Sequence, residues 1–198
     1  MRVLIACEFS AIVCQAFRER GHEAFSNDLL PTEGNPIHHI QGDADMACRQ
    51  QSWDLLIAHP PCTYLCNSGV RWLAPGGKLD SKRHKLMMQA ADFFAALYWS
   101  VIPRACIENP VMHCYAKDYL QSAWKIPGQT MTFQPWQHGE PEVKRSCLWL
   151  RGLSPLVPSN IVEGRSARVH RESPGPDRWK NRSRTLKGVA LAMSQQWG

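Results

Sequence analysis

Two short motifs in this chain place reactive side chains directly after apolar runs. Cys62 follows Pro60 and Pro61 after Trp53-Asp54-Leu55-Leu56-Ile57-Ala58, and Glu108 opens Glu108-Asn109-Pro110 after Ala105-Cys106-Ile107. A cysteine thiolate is a strong nucleophile, and electropositive neighbours bring it within reach of neutral pH. A carboxyl group shielded from water keeps its proton longer and can act as acid or base. Other polar residues end apolar runs in the same way: Glu8, Phe9 and Ser10 after the first run, Asp28 after the second, and Asp43 after a third. A basic pair, Lys144-Arg145, lies just before a late apolar run. Singly, each has a plainer reading. Asp28, Asp43 and Glu108 suit turns or helix caps, a cysteine at a strand end suits packing, and a basic pair suits a solvated edge. Their joint placement carries the information.

The elements that must hold these groups alternate between strand and helix. Residues 2–6, 23–26, 37–40, 53–58, 105–107 and 146–150 read as strands, short apolar runs bounded by polar residues. Residues 11–20 carry apolar side chains at helical spacing and stop at Gly21. Residues 81–100 and 185–197 read as a long helix and a final amphipathic one. Residues 59–78 form a loop rich in proline and glycine, and 152–183 is rich in Pro, Ser and Arg, a weakly structured tract. The alternation predicts an α/β domain, a mostly parallel sheet with helices on both faces. In such sheets ligands bind beyond the carboxyl ends of the strands, where Cys7-Glu8-Phe9-Ser10, Asp28, Asp43, Pro60-Pro61-Cys62 and Glu108 all fall.

A length of 198 residues suits one domain, and 44% hydrophobic with 20% charged residues suits a globular chain. No apolar run reaches membrane-spanning length, and the short apolar N-terminus runs straight into Cys7-Glu8, so it reads as a first strand. A cytoplasmic setting is the expectation. The eight cysteines then read as reduced thiols. Cys7, Cys14, Cys48, Cys66, Cys106, Cys114 and Cys147 read as inert packing residues. The net charge is +6, concentrated between Lys144 and Lys187, which predicts a polyanionic partner.

Pro60-Pro61-Cys62 resembles the catalytic Pro-Cys loop of DNA cytosine-C5 methyltransferases, and Glu108-Asn109-Pro110 resembles their Glu-Asn-Val motif. Gly139-Glu140-Pro141-Glu142-Val143-Lys144-Arg145 resembles their Gly-x-Pro-x-x-Arg segment. Nearly the whole chain is similar to compact phage-borne members of that family that lack a separate target-recognition domain. The similarity runs from Cys7-Glu8-Phe9-Ser10 through Asp28-Leu29-Leu30-Pro31 to the final stretch from Gly188 to Gln196-Trp197-Gly198. Three departures are visible. No glycine stands in the first turn, Thr63 replaces the glutamine that usually follows the cysteine, and His59 stands where a small residue is usual.

The resemblance implies a Rossmann-like S-adenosylmethionine-dependent methyltransferase fold over residues 1–198, with 152–183 as a reduced loop region in place of a recognition domain. It implies S-adenosylmethionine as cofactor and DNA as partner, with the target cytosine flipped from the duplex. Cys62 would add to C6 of the base. Glu108 would hold the N3 side, and Lys144 or Arg145 would supply a cation. Asp28 would bind the cofactor's ribose and Asp43 would lie near its adenine. Glu8, Phe9 and Ser10 would form the turn under the methionine part, with Pro60 close by. Only about 30 residues stand where a recognition domain would be, too few for a second core, so a homodimer partner could supply specificity. Three other readings stay open. One is a related pyrimidine C5-modifying enzyme using another one-carbon donor or a nucleotide substrate. Another is a non-enzymatic DNA-binding protein on the same fold. The last is a zinc deaminase, whose Pro-Cys-x-x-Cys spacing Pro61-Cys62-Thr63-Tyr64-Leu65-Cys66 exceeds by one residue.

Overall fold

A computed structural model describes residues 1–198. Seven strands form one sheet: β1 (Arg2–Ala6), β2 (Glu23–Asp28), β3 (His39–Gln41), β4 (Leu55–Ala58), β5 (Arg104–Pro110), β6 (Met131–Phe133) and β7 (Ser146–Arg151). Their spatial order is β3-β2-β1-β4-β5-β7-β6. The first five are parallel to one another, and β7 runs antiparallel to both β5 and β6. The expected α/β architecture with a mostly parallel sheet is present. The strand order reverses between β1 and β4, the switch point where open parallel sheets leave a crevice.

Strand alternation divides the core into two layers. Val3 and Ile5 of β1, Leu55 and Ile57 of β4, and Cys106 of β5 face α1 (Ile12–Glu19) and the C-terminal helix, through Val13, Phe17, Val189, Met193 and Trp197. Leu4, Ala6, Leu56, Ala58, Ala105 and Ile107 face the other way, against α2 (Ala44–Arg49), α3 (Ser81–Tyr98) and α4 (Cys114–Trp124). On this second side Phe94 meets Trp149 edge to face at 5.1 Å, a geometry worth about 0.5–1.5 kcal/mol beyond burial. Side-chain caps set the helix starts: Asp43 accepts from Met46 N, Asp80 from Arg83 N, and His113 from Ala116 N. No helix is long and apolar enough to cross a membrane.

Several elements differ from the sequence expectation. β2 continues through Asp28, β3 is shifted to His39–Gln41, and the first helix starts at Ile12 because Ala11 takes a left-handed conformation (φ 57°). The last helix starts at Lys187, not 185. Helices α2 and α4 and strand β6 stand where no element was expected. The tract 152–183 contains α5 (Arg168–Arg171) and α6 (Arg178–Ser183), ahead of the terminal α7 (Lys187–Trp197). It is anchored rather than loose. Val143 N donates to Ser166 O at 2.7 Å, and the buried Glu142 accepts from Val169 N at 3.0 Å and pairs with Arg168 at 3.6 Å.

Candidate active site

β4 is buried at every residue, and it hands the chain to His59, whose N–H still bonds Ala6 O at 3.0 Å. Pro60 and Pro61 hold the next residues extended and leave the ladder. At Cys62 the chain turns, with Leu65 N and Cys66 N both donating to Cys62 O at 3.0 Å. The turn is pinned to the exit of β5: Asn67 N donates to Val111 O, His113 N donates to Leu65 O, and His113 Nε2 lies 3.0 Å from Tyr64 O. The Cys62 loop and the Glu108 strand are thus one mechanical unit.

Glu108 lies opposite Leu148 in the β5–β7 ladder. Its side chain is 15% exposed and turns to the α7 face, and His59 Nδ1 is 3.5 Å from its Oε2. His59, Glu108, Lys144 and Ser146 line one small pocket, closed on the far side by Val189 and Met193 of α7. Cys62, half buried, is close enough for the charges of Glu108 and Lys144 to act on its thiol. Lys144 and Ser146 share a side of the extended chain entering β7, so Arg145 faces away. Arg145 is exposed, does not line the pocket, and bears on Cys147 instead. Lys144 is held by its backbone N–H to Gln134 Oε1 and by its Nζ, which donates to Arg182 O at 3.1 Å.

The electrostatics differ from a lone buried acid beside a lone thiol. Burial pushes Glu108 up, but the hydrogen bond from His59, the charges of Lys144 and His59, and Ser146 bring it below the usual carboxylate value. Glu108 therefore rests ionised. Cys62 does not stand alone either: its interaction with the neighbouring Cys66, with burial and the Cys66 and Glu108 charges, pushes the Cys62 thiol up against the opposing pull of Lys144. Cys66 moves down, stabilised first by Cys62 and then, against burial, by Ser68 and backbone amides. The sequence reading set Cys66 among inert packing residues; the four-residue spacing across one turn was the available signal.

The other candidates sit on the same rim, around β1, β2 and β3. Glu8 is 3% exposed, and both its oxygens face the start of α1: Val13 N donates at 2.7 Å, Cys14 N at 3.2 Å and Ser10 Oγ at 3.3 Å. Burial raises its carboxyl above the usual range, although the charge of His59 and these donors oppose the shift. Asp28 uses one oxygen on Leu30 N, and its other oxygen has no partner in the chain. Asp43 is exposed and caps α2. Burial and then the charges of Asp28 and Asp43 raise the Cys7 thiol, so an acidic pair flanks the β1 tip. The glycine-free first turn takes left-handed conformations at Cys7 (φ 58°) and Ala11 (φ 57°). Space for the Ala11 side chain comes from Gly34, where a Cβ would lie 2.6 Å from Ala11 Cβ. Phe9 is buried, with Trp179 of α6 packed on it at 6.2 Å and the Arg184 guanidinium over its ring at 5.6 Å. Arg184 also pairs with Glu33, so the α5–α6 tract straps across the rim from β7 to β2. A larger depression of about 560 Å³ between α1, residues 34–38 and α7 contains neither Cys62 nor Glu108. Nowhere do three His, Cys, Asp or Glu side chains converge as metal ligands would, so a zinc deaminase finds no ligand set here.

In sequence the chain matches no family model and no curated protein. In structure it is similar to a proposed DNA modification methyltransferase encoded within an E. coli prophage, with 14% identity and a TM-score of 0.53 over 88% of this chain and 55% of that one. It also aligns with methyltransferase EhMeth of Entamoeba histolytica (14% identity, TM-score 0.44, 88% and 60% covered). A third alignment is with Dnmt2 methyltransferase of S. pombe (14%, 0.46, 89% and 57%). The first of these likenesses is one of fold, a Rossmann-like, mostly parallel sheet flanked by helices. The chain spans 55 to 60% of the length of these structures.

Proposed function

We propose that the protein is a DNA cytosine-C5 methyltransferase that works through a covalent bond between Cys62 and C6 of the base. The observation that carries this reading is that Glu108 and Lys144 line one pocket at the carboxyl ends of β4 and β5, near enough to Cys62 for both of their charges to act on its thiol. The nucleophile, the ring-holding carboxyl and a cation come from separate stretches of sequence, and packing α7 has no need of their combination.

S-adenosylmethionine is the cofactor this reading calls for, and the rim suits it. Asp28 offers a free carboxylate oxygen at the tip of β2 for a ribose diol, and with Asp43 it makes the β1 tip acidic, favourable to a cationic sulfonium. Phe9, Ser10 and Pro60 follow the ends of β1 and β4 on the same side of the sheet, and Glu8 holds the start of α1 there. When bound, the cofactor supplies an electrophilic methyl group. The chain's own residues do the rest. The Cys62 proton passes to the neighbouring Cys66 sulfur, the member of the pair that is pushed down. The Cys62 sulfur bonds to C6, the ring's electrons shift toward N3, and Glu108 presents its carboxyl there. C5, now enamine-like, takes the methyl group. The C5 proton leaves to water as the C5–H electron pair reforms C5=C6 and expels the sulfur, N3 gives its proton back to Glu108, and the freed Cys62 sulfur takes its proton back from Cys66. The exposed Arg168 and Arg171 of α5 supply phosphate contacts, and the glycine-bearing loop after Cys62 can close on a flipped base.

The test is incubation with labelled S-adenosylmethionine and duplex DNA, beside Cys62→Ala and Glu108→Gln, read as 5-methylcytosine by nucleoside mass spectrometry. Label with wild type and none with Cys62→Ala is the expected result. No product across several DNAs, together with no cofactor binding by calorimetry, would overturn the reading. The strap of Trp179 and Arg184 over Phe9 would then favour a different one-carbon donor or a nucleotide substrate.

A further inference from the structure

His59 is the residue at this site that packing does not explain. It stands one step beyond Ala58, with its main chain bonded to Ala6 O, at the end of a strand whose every residue is buried and apolar. Instead an imidazole, 10% exposed, lies against one enclosed carboxyl group and near enough to a second for its charge to act on it. Glu108 of β5 is 3.5 Å from its Nδ1, and Glu8 beyond β1 feels its charge. Two atoms of the cluster have no partner although no water reaches them: His59 Nε2 and Glu108 Oε1. Buried polar atoms are nearly always paired, and exceptions cluster where a ligand or a proton is handled. Both orphans belong to the one His–Glu contact in the pocket.

The proposed reaction gives that contact a task. N3 of the cytosine gains a proton as sulfur adds to C6, yet Glu108 rests ionised under the influence of His59, Lys144 and Ser146. The proton must be kept beside Glu108 rather than on it. Building on the methyltransferase reading, we propose that His59 is the proton reserve of the site, a positioning residue that supplies Glu108 with the proton it presents to N3. The balance is direct. The Nδ1–H bond of the imidazolium breaks as an O–H bond forms on the Glu108 carboxylate. That O–H bond breaks as N3–H forms, while the C5=C6 electron pair moves toward N3 and the S–C6 bond closes. When the sulfur is expelled, the proton returns along the same path and His59 is charged again. The charged and titratable groups around the pair are Glu8 from β1, Cys62 from its own loop, Glu108 from β5 and Lys144 ahead of β7; α7 brings Val189 and Met193, which do not titrate.

The test uses His59→Asn, whose side chain keeps a donor near Glu108 but cannot hold and release a proton. Methyl transfer to duplex DNA is followed from pH 5.5 to 8.5, with KM and kcat measured separately. The expected result is a kcat about 10²-fold lower near pH 6.5 with KM for DNA within about threefold, general acid–base contributions being of this size. The wild-type fall in kcat with rising pH should be absent in the variant. A variant that keeps the wild-type pH profile overturns the proposal. Because His59→Asn could perturb folding, a second measurement uses folded protein without substrate: the His59 ring nitrogens are titrated by NMR in wild type and Glu108→Gln. A downward shift of the His59 midpoint in Glu108→Gln supports the shared proton, and an unchanged midpoint refutes it. If wild-type protein transfers no methyl group while the NMR coupling is intact, the methyltransferase reading has failed and the His59–Glu108 pair has not.

Discussion

Replacing Glu8 separates its role in folding from any role at the cofactor. Its two oxygens accept the N–H groups of Val13 and Cys14 in the first turn of α1, groups with no partner inside their helix. Val13 and Cys14 are 0% and 2% exposed, so water is a poor substitute. Glu8→Ala orphans both amides at roughly 1–3 kcal/mol each. Removing a carboxyl group that burial already disfavours returns part of this. A net loss of about 2–4 kcal/mol follows, or roughly 5–15 °C in Tm for a chain of this length. Glu8→Gln keeps the acceptor at Val13 and turns an amide donor toward Cys14, for about 1–2 kcal/mol. The pH dependence has a definite sign. The folded-state value of Glu8 is raised, so its stabilising contribution is complete below the unfolded carboxylate value and is lost as pH rises through the folded one. Wild type should therefore exceed Glu8→Gln most at low pH, and the gap should narrow toward pH 8. Urea denaturation followed by far-UV circular dichroism at pH 5 and pH 8 measures both. A Glu8→Ala midpoint equal to wild type, or a gap to Glu8→Gln that widens as pH rises, would refute this account of Glu8.

Two further outcomes follow from the structure. The Cys62–Cys66 pair should react with iodoacetamide at pH 6.5, with peptide mapping placing label first on the lowered thiol, Cys66; Cys66→Ser should slow labelling of the pair roughly tenfold, because the shared proton is then gone. Gly188→Ala should lower stability by about 1–3 kcal/mol in a thermal melt, since a Cβ there would overlap the His138 carbonyl and outweigh the better helix propensity of alanine; an unchanged Tm would contradict the packing of α7 on that segment.

The parts of the fold that sequence revealed are those whose pattern is dictated locally. β1, β4 and β7 are continuous apolar runs because both faces of a central strand are covered. What stayed hidden depends on partners distant in sequence. β6 is three residues long and exists because β7 offers an edge. α4 buries only Ala116 and Leu120, a stripe too thin to read as amphipathic. α2 is six residues long and presents small side chains to the core. The tract 152–183 shows a loop's composition, yet Glu142, Glu33 and Phe9 fix it from elsewhere in the chain. The site divides in the same way. Cys62 and Glu108 are legible because strand ends are legible. The choice of Lys144 over Arg145 rests on the parity with which the chain enters β7, which no spacing reveals. His59 shows in sequence only as an unusual neighbour of the Pro-Pro-Cys turn; its meaning needs β5 beside β4.

Two glutamates on this rim, both enclosed, are driven in opposite directions, and the strand order is the reason. β5 pairs with β7, so the chain entering β7 brings Lys144 and Ser146 against Glu108. β1 is separated from that edge by β4 and β5, so Glu8 has only helix amides, a serine and a share of His59 to offset its burial. Glu108 thus contributes stability above the unfolded carboxylate value and loses it as pH falls through its lowered one, while Glu8 behaves in the reverse sense. His59 faces both and its charge favours the ionised form of each, so one imidazole links a carboxyl group that resists ionisation to one that welcomes it. Pairs pushed apart in this manner are how a single fold separates acid from base. Here the opposite shifts need no special loop: burial of Glu8 away from the β7 edge, and Lys144, Ser146 and His59 gathered at Glu108, make them.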